Sequence, residues 1–309
     1  MLRLRPCGTA GCWRLLVVAG ALVGLATAQT SAEGSSEWAF PCSEEGIERY
    51  TSFRIDETIT VDGRLDERVW GEAPRSPRFE DLISAGRAIH DTRAAVLWDA
   101  QNLYIGFWVE EPDVRGDLTE RDSPIYKNND VEVFIAGRDA YYEFEINSLG
   151  TIYEVLFVWD EAYEAGEYRD LPELAKDHPQ ARSFNGVGLR DHPRGMRTGF
   201  WGYDLPGLQT AVQVDGTLND DQDRDRGWTV ELSFPWASLQ YLAGEDGRAL
   251  PPEEGDEWRI DFTRFNQYKE APPAVDSGGW AWSTHGVWDS HVPECFPFIR
   301  FTSQRLESE

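Results

Sequence analysis

The 309-residue chain holds 55 acidic and 29 basic residues, and its net charge of −26 sets it against phosphate backbones and anionic membrane surfaces. No nucleic acid is expected as a partner. An apolar content of 41% with 13% aromatic residues belongs to a chain that buries a core, not to a disordered one.

Residues 1–28 read as a signal peptide. Arg3, Arg5 and Arg14 precede or flank the apolar run LLVVAGALVGLA, and Ala26-Thr27-Ala28 offers the small residues that a signal peptidase needs. The run is shorter than the ~20 apolar residues a membrane span requires, so no transmembrane segment is expected, and no cysteine stands at the cleavage point to carry a lipid. The mature protein is expected to be secreted or periplasmic. Cleavage would remove three arginines and no acid, leaving 26 basic against 55 acidic residues, a net charge of −29. Only Lys127, Lys176 and Lys269 are lysines. An acid-rich, lysine-poor surface suits concentrated salt, and arginine-favouring codons are the plainer explanation.

Cys42 and Cys295 remain after the leader is gone, near opposite ends of the mature chain. In an exported protein a disulfide is the natural reading, contributing about 4–5 kcal/mol by loop entropy, with two free thiols as the alternative.

Residues 29–52 are small and polar at their start and read as a flexible lead-in. From Phe53 the pattern is strand-like almost throughout: FRI, TITV, TRAAVLW, NLYIGFWV, DVEVFIA, YYEFEIN, TIYEVLFVW, LQTAVQV, GWTVELSF, EWRIDFTRF, GWAWS and FPFIRF, separated by turn residues. Short strands at this spacing predict an all-β sandwich or barrel over 53–302, with 303–309 as a disordered tail. Helix is expected only at LDERVWGEA (65–73) and LPELAKDH (171–178). Residues 160–206, rich in charge, glycine and proline, read as a long loop insert, functional or mobile.

NDVEVFIAGRDAYYEFEIN (129–147) predicts a hairpin turning at Gly137-Arg138-Asp139-Ala140. One face pairs Val131 with Ile146, Val133 with Phe144 and Ile135 with Tyr142. The other pairs Asp130 with Asn147, Phe134 with Glu143, and Glu132 with Glu145, an unfavourable juxtaposition of like charges.

VDGRLDERVW, TRAAVLWDAQNLYIGFWVEEPDV, NNDVEVFI, RGWTVELSFPW and WAWSTHGVWDS…FPFIRF, taken in this order, resemble the family 9 carbohydrate-binding modules and cover essentially 53–302. That resemblance implies an immunoglobulin-like antiparallel sandwich of the DOMON superfamily, without catalytic activity, holding a sugar end between two aromatic rings. The rings would be Tyr126 and Trp288, and the polar residue within the cleft Glu132. Where sugar-binding members carry an arginine this chain has Glu145.

The residues support part of this directly, since sugars offer apolar C–H faces and a rim of hydroxyls. Tyr126, Trp288, Glu132 and Asn147 supply flat rings with fixed polar groups, although Tyr126 and Trp288 could simply cover a sandwich edge. Trp70, Trp280 and Trp282 fit core positions. For Glu132 and Glu145 three readings stand: an arginine of the insert, such as Arg169 or Arg194, lies between them; a calcium ion bridges them with Asn147; or one is protonated. The run DDQDRDRGW from 220 lacks the glycine and twelfth-position glutamate of a calcium loop and reads as a turn.

The function expected is carbohydrate binding without catalysis, in company with secreted glycoside hydrolases. The alternatives are a protein–protein module that has lost its sugar site, a retaining glycosidase using two carboxylates roughly 5 Å apart, and a haem-binding DOMON domain drawing ligands from Met196, His90, His178, His192, His285 and His291.

Overall fold

The β-branched and aromatic runs form strands in the computed structural model, which describes residue 42 and residues 44–166, 168–188, 190–244, 247–268 and 276–306. The expected signal peptide lies outside the described residues, as does most of the lead-in. All described residues fall within the unit Ala39–Glu309. Among them, no helix is long and apolar enough to cross a membrane.

In chain order the strands are β1 (Arg49–Arg54), β2 (Glu80–Asp81), β3 (Thr92–Trp98), β4 (Asn102–Glu110), β5 (Asp130–Ala136), β6 (Ala140–Asn147), β7 (Ile152–Trp159), β8 (Ala181–Phe184), β9 (Gly186–Val187), β10 (Arg190–Asp191), β11 (Arg197–Phe200), β12 (Gln209–Asp215), β13 (Gly227–Pro235), β14 (Glu257–Phe265), β15 (Gly279–Ala281) and β16 (Phe298–Arg305). The main ladder runs β12-β13-β4-β3-β1-β16-β14-β5-β6-β7-β11-β8. It doubles over so that its two halves share one apolar core, which makes the fold an all-β sandwich. Phe107 of β4 meets Phe262 of β14, and Phe234 of β13 meets Phe144 of β6, with ring centroids 6.0 and 5.7 Å apart. Each fully buried side chain of this kind stabilises the fold by about 1.5–3 kcal/mol. Trp280 and Trp282 belong to this core.

Several expectations need correction. The sandwich is not antiparallel throughout, because β1 runs parallel to both of its neighbours, β16 and β3. The sheet also takes in Arg49–Ser52 and Ser303–Arg305, residues placed outside the domain by sequence pattern. TITV forms no strand; Ile59 instead joins Leu65, Val69 and Trp70 in a second cluster that covers the outer face of β3 and β4. The helix expected at 65–73 is a short one, Arg68–Glu72. LPELAKDH yields only a 3-10 turn, Pro172–Leu174, since proline suits a first turn and the following residues bury no continuous stripe. The insert is structured: a helix spans Asp160–Ala165, and β11 adds to the sheet edge by pairing with β7 and β8.

Cys42 and Cys295 form the disulfide, with Cα atoms 5.7 Å apart. The acidic run at 220 is a turn, in which Asp225 accepts hydrogen bonds from the backbone amides of Val114 and Thr217, each 2.7 Å.

Candidate functional site

The hairpin 129–147 has the predicted register at every pair, closed by a 2.8 Å bond from the Gly137 amide to the Ala140 carbonyl. Val131, Val133, Ile135, Tyr142, Phe144 and Ile146 enter the core, so period-two alternation turns Asp130, Glu132, Glu143 and Glu145 to the opposite face. Neighbouring strands extend that face in rows. Thr263 of β14, Glu132, Glu145 and Tyr153 of β7 form one row; Asp261, Phe134, Glu143 and Val155 form the next.

A cleft of about 280 Å³ opens over these rows. Its floor includes Glu132, Glu143 and Glu145, and its lining includes Tyr126 and Trp288. Those two rings are 43% and 48% exposed, whereas nearly every other large aromatic side chain described is buried or half-buried. Tyr126 sits edge-on to Tyr153 at 6.0 Å, and Trp288 edge-on to Phe265 at 5.1 Å. A Cβ on Gly279 would stand 2.7 Å from the Trp288 ring, so glycine is what lets the indole lie this close to β15.

The floor is acidic and buried. Glu132 accepts hydrogen bonds from the Thr263 and Ser290 hydroxyls. Burial pushes its carboxyl up to about 7; these two bonds oppose the rise, and the charge of Asp261 adds to it. Burial, then the charge of Glu132, drives Asp130, Glu143 and Glu145 well above the usual carboxylate range. Asp130 Oδ2, Glu143 Oε2 and Glu145 Oε2 are buried without a hydrogen-bond partner.

Behind the floor runs a chain of polar contacts. Arg197 Nε donates to the Tyr141 hydroxyl (2.6 Å), which lies 3.0 Å from His291 Nδ1, and His291 Nε2 is 3.6 Å from Glu143. Burial, with the charges of Arg197 and His285, lowers the His291 imidazole to about 4, so the ring is neutral. Nδ1 then accepts from Tyr141, and Nε2–H faces Glu143. Beneath lies the pair His285 Nε2 and Asp261 Oδ2, 2.9 Å apart without hydrogen-bond alignment.

The structure thus brings Tyr126, Trp288, Glu132 and Glu145 to one cleft. It does not bring Asn147 there. That side chain holds the turn after β6, its Oδ1 accepting from the amides of Leu149 and Thr151 (3.0 Å each) and its Nδ2 donating to the Leu118 carbonyl (2.9 Å). Nor does an insert arginine lie between the glutamates. Arg194 pairs with Glu161 and Asp139 at the hairpin tip, and Arg169 stands exposed on a 3-10 turn. The raised carboxyls favour the protonated reading. Asp130, Glu132 and Glu145 can still bring one oxygen each within 4.8 Å of one another, a set that would suit a hard cation, although Asn147 is committed elsewhere. Met196 is exposed, while His192 Nε2 contacts Glu294 at 3.2 Å and His285 and His291 are tied into the floor.

Glu143 and Ser290 were not singled out as site residues from sequence, nor were Phe184 and Trp201, which the insert adds to the lining, and His291 was named only as a candidate haem ligand. Glu143 had a signal, its phase with Glu145. The others reach the cleft only through the tertiary fold.

Residues 61–167, which include Tyr126 and the whole hairpin, match the family model described as carbohydrate family 9 binding domain-like. Over those residues the chain is similar to that family. Among solved structures, the chain is similar to that of a candidate carbohydrate-binding protein from Bacteroides uniformis, at 13% identity and a TM-score of 0.54 over 82% of this chain and 99% of that one. It is also similar to a family 9 carbohydrate-binding module from Caldicellulosiruptor kristjanssonii in complex with cellotriose, at 13% identity and a TM-score of 0.46 over 83% and 95%. At such identities the likeness is one of fold. No curated protein matches the chain.

Proposed function

We propose that the protein is a secreted, non-catalytic carbohydrate-binding protein that holds a sugar end or short oligosaccharide in the cleft lined by Tyr126 and Trp288. One observation carries the reading: two large rings stand open to solvent in the same cleft, above buried carboxyl groups. Rings cover the C–H face of a sugar, and protonated carboxyls both donate to and accept from hydroxyls. The family 9-like match over the hairpin supports it. Lack of catalysis is part of the proposal: Glu132 and Glu145 lie side by side in one row of the floor, not on two sides of a bond as the carboxyls of a retaining glycosidase do. Secreted glycoside hydrolases are the partners this reading suggests.

Calorimetric titration with xylo-, cello- and galacto-oligosaccharides tests it. Heat of binding without release of reducing ends is expected; no heat from a folded protein would remove the reading. Gly279→Ala should weaken whichever sugar binds by about tenfold, ~1.4 kcal/mol, by displacing Trp288, and an unchanged affinity would show that the ring's seat on β15 is irrelevant.

A further inference from the structure

The cleft is acidic, and the positive charges that reach its carboxyls from Arg197 and His285 stand behind the floor. Glu132, Glu143 and Glu145 open onto the cleft, and among the described lining residues there is no lysine or arginine. The nearby cations are placed otherwise. Arg264, adjacent in β14, is paired with the core-facing Val131 and is buried against Glu111 and Trp280. Arg197 is spent on Tyr141 and backbone carbonyls behind the wall, while Arg182 and Lys127, which do not line the cleft, lie over the Trp201 and Tyr126 rings at 5.3 and 5.5 Å.

Resting on the sugar-binding reading, we propose that the cleft selects a sugar bearing a protonated amine, an amino sugar end whose ammonium sits on Glu143 and Glu145. An ammonium brings three N–H donors and one positive charge. Glu143 Oε2 and Glu145 Oε2 are buried without a hydrogen-bond partner, and they become acceptors for an ammonium once the acids give up their protons. An exposed ring beside an ammonium adds cation–π attraction, and the sugar's C–H face still stacks. A neutral sugar can hydrogen-bond to the same oxygens but brings no charge to favour their ionised form. A metal ion is the weaker fit, since Asp130, the third member of the close carboxylate set, does not line the cleft and is engaged by the Phe265 amide at 3.2 Å. A metal ion would also leave the two open rings without a role.

The test titrates the full chain, in EDTA at about pH 6 where a sugar amine is protonated, with tetramers of β-1,4-linked glucosamine, N-acetylglucosamine and glucose. The amine tetramer is expected to bind at least about tenfold tighter than the other two. Its binding should release protons, seen as a heat that changes with the buffer's own ionisation enthalpy. Glu145→Gln and, separately, Glu143→Gln should bring the ratio towards one. Equal affinity for the glucose tetramer, or binding that needs added calcium, would overturn the amine inference and leave the sugar-binding reading standing. Silence towards all three, together with the neutral panel above, would overturn both.

Discussion

Trp288→Ala and Tyr126→Ala are each expected to weaken sugar binding by about 30-fold, ~2 kcal/mol, while leaving the melting temperature close to that of the parent protein. The dissociation follows from exposure. Both rings are open to solvent, Trp288 resting on Phe265 and Gly279 and Tyr126 edge-on to Tyr153 with Lys127 over it, so their removal leaves no cavity in the core. Their area becomes buried only when a ligand lies on it. Calorimetry and thermal melting on the same samples separate the two effects. Parental affinity in either variant would remove that ring from the site, and a large fall in melting temperature would reassign it to the scaffold.

The ligand-free protein should unfold more easily at about pH 8 than at about pH 5. A carboxyl whose folded pKa lies above its unfolded value holds more protons in the folded state, so stability falls as pH rises from the unfolded value to the folded one. For Glu132 that window runs from 4.5 to about 7, which costs on the order of 3 kcal/mol at 1.36 kcal/mol per unit. Asp130, Glu143 and Glu145 act in the same direction. His291 works the other way between about 4 and 6.5, because charging it in the folded state is resisted. Comparison with Glu145→Gln isolates the acids. That variant keeps the shape of the protonated side chain, and in urea titrations it should be more stable than the parent at pH 8 and indistinguishable below about pH 4.5. Destabilisation by Glu145→Gln at pH 8 would mean that an ionised Glu145 is held by a partner, contradicting the raised carboxyls.

The hairpin was legible in full because period-two alternation and a glycine-led turn leave one register that buries every apolar residue. The same logic brought Glu132 and Glu145 face to face and put Glu143 in phase with them. It failed where side chains serve local backbone. Asn147 lies in phase with the acids, yet its amide closes a turn. β-branched TITV looked like a strand, yet Ile59 is a plug for the cluster around Trp70. Tyr126 and Trp288 could be named only through resemblance, since their meeting depends on how β14, β15 and the segment after them fold back over the hairpin. The insert's Phe184 and Trp201 carry no sequence signal that separates them from ordinary sheet-edge aromatics.

The parallel placement of β1 between β16 and β3 has a consequence for how the protein is made. The first long strand described has its principal partner in the last, so contacts between Arg49–Arg54 and Phe298–Arg305 span nearly the whole domain in sequence. Such distant pairings are slow to find, and they cannot form until the carboxy-terminal strand has left the ribosome or, if the chain is exported, the translocation channel. Until then the two halves of the sandwich lack the strand pair that joins them and expose apolar edges. A net charge of −26 opposes association of such an incomplete chain with its own copies.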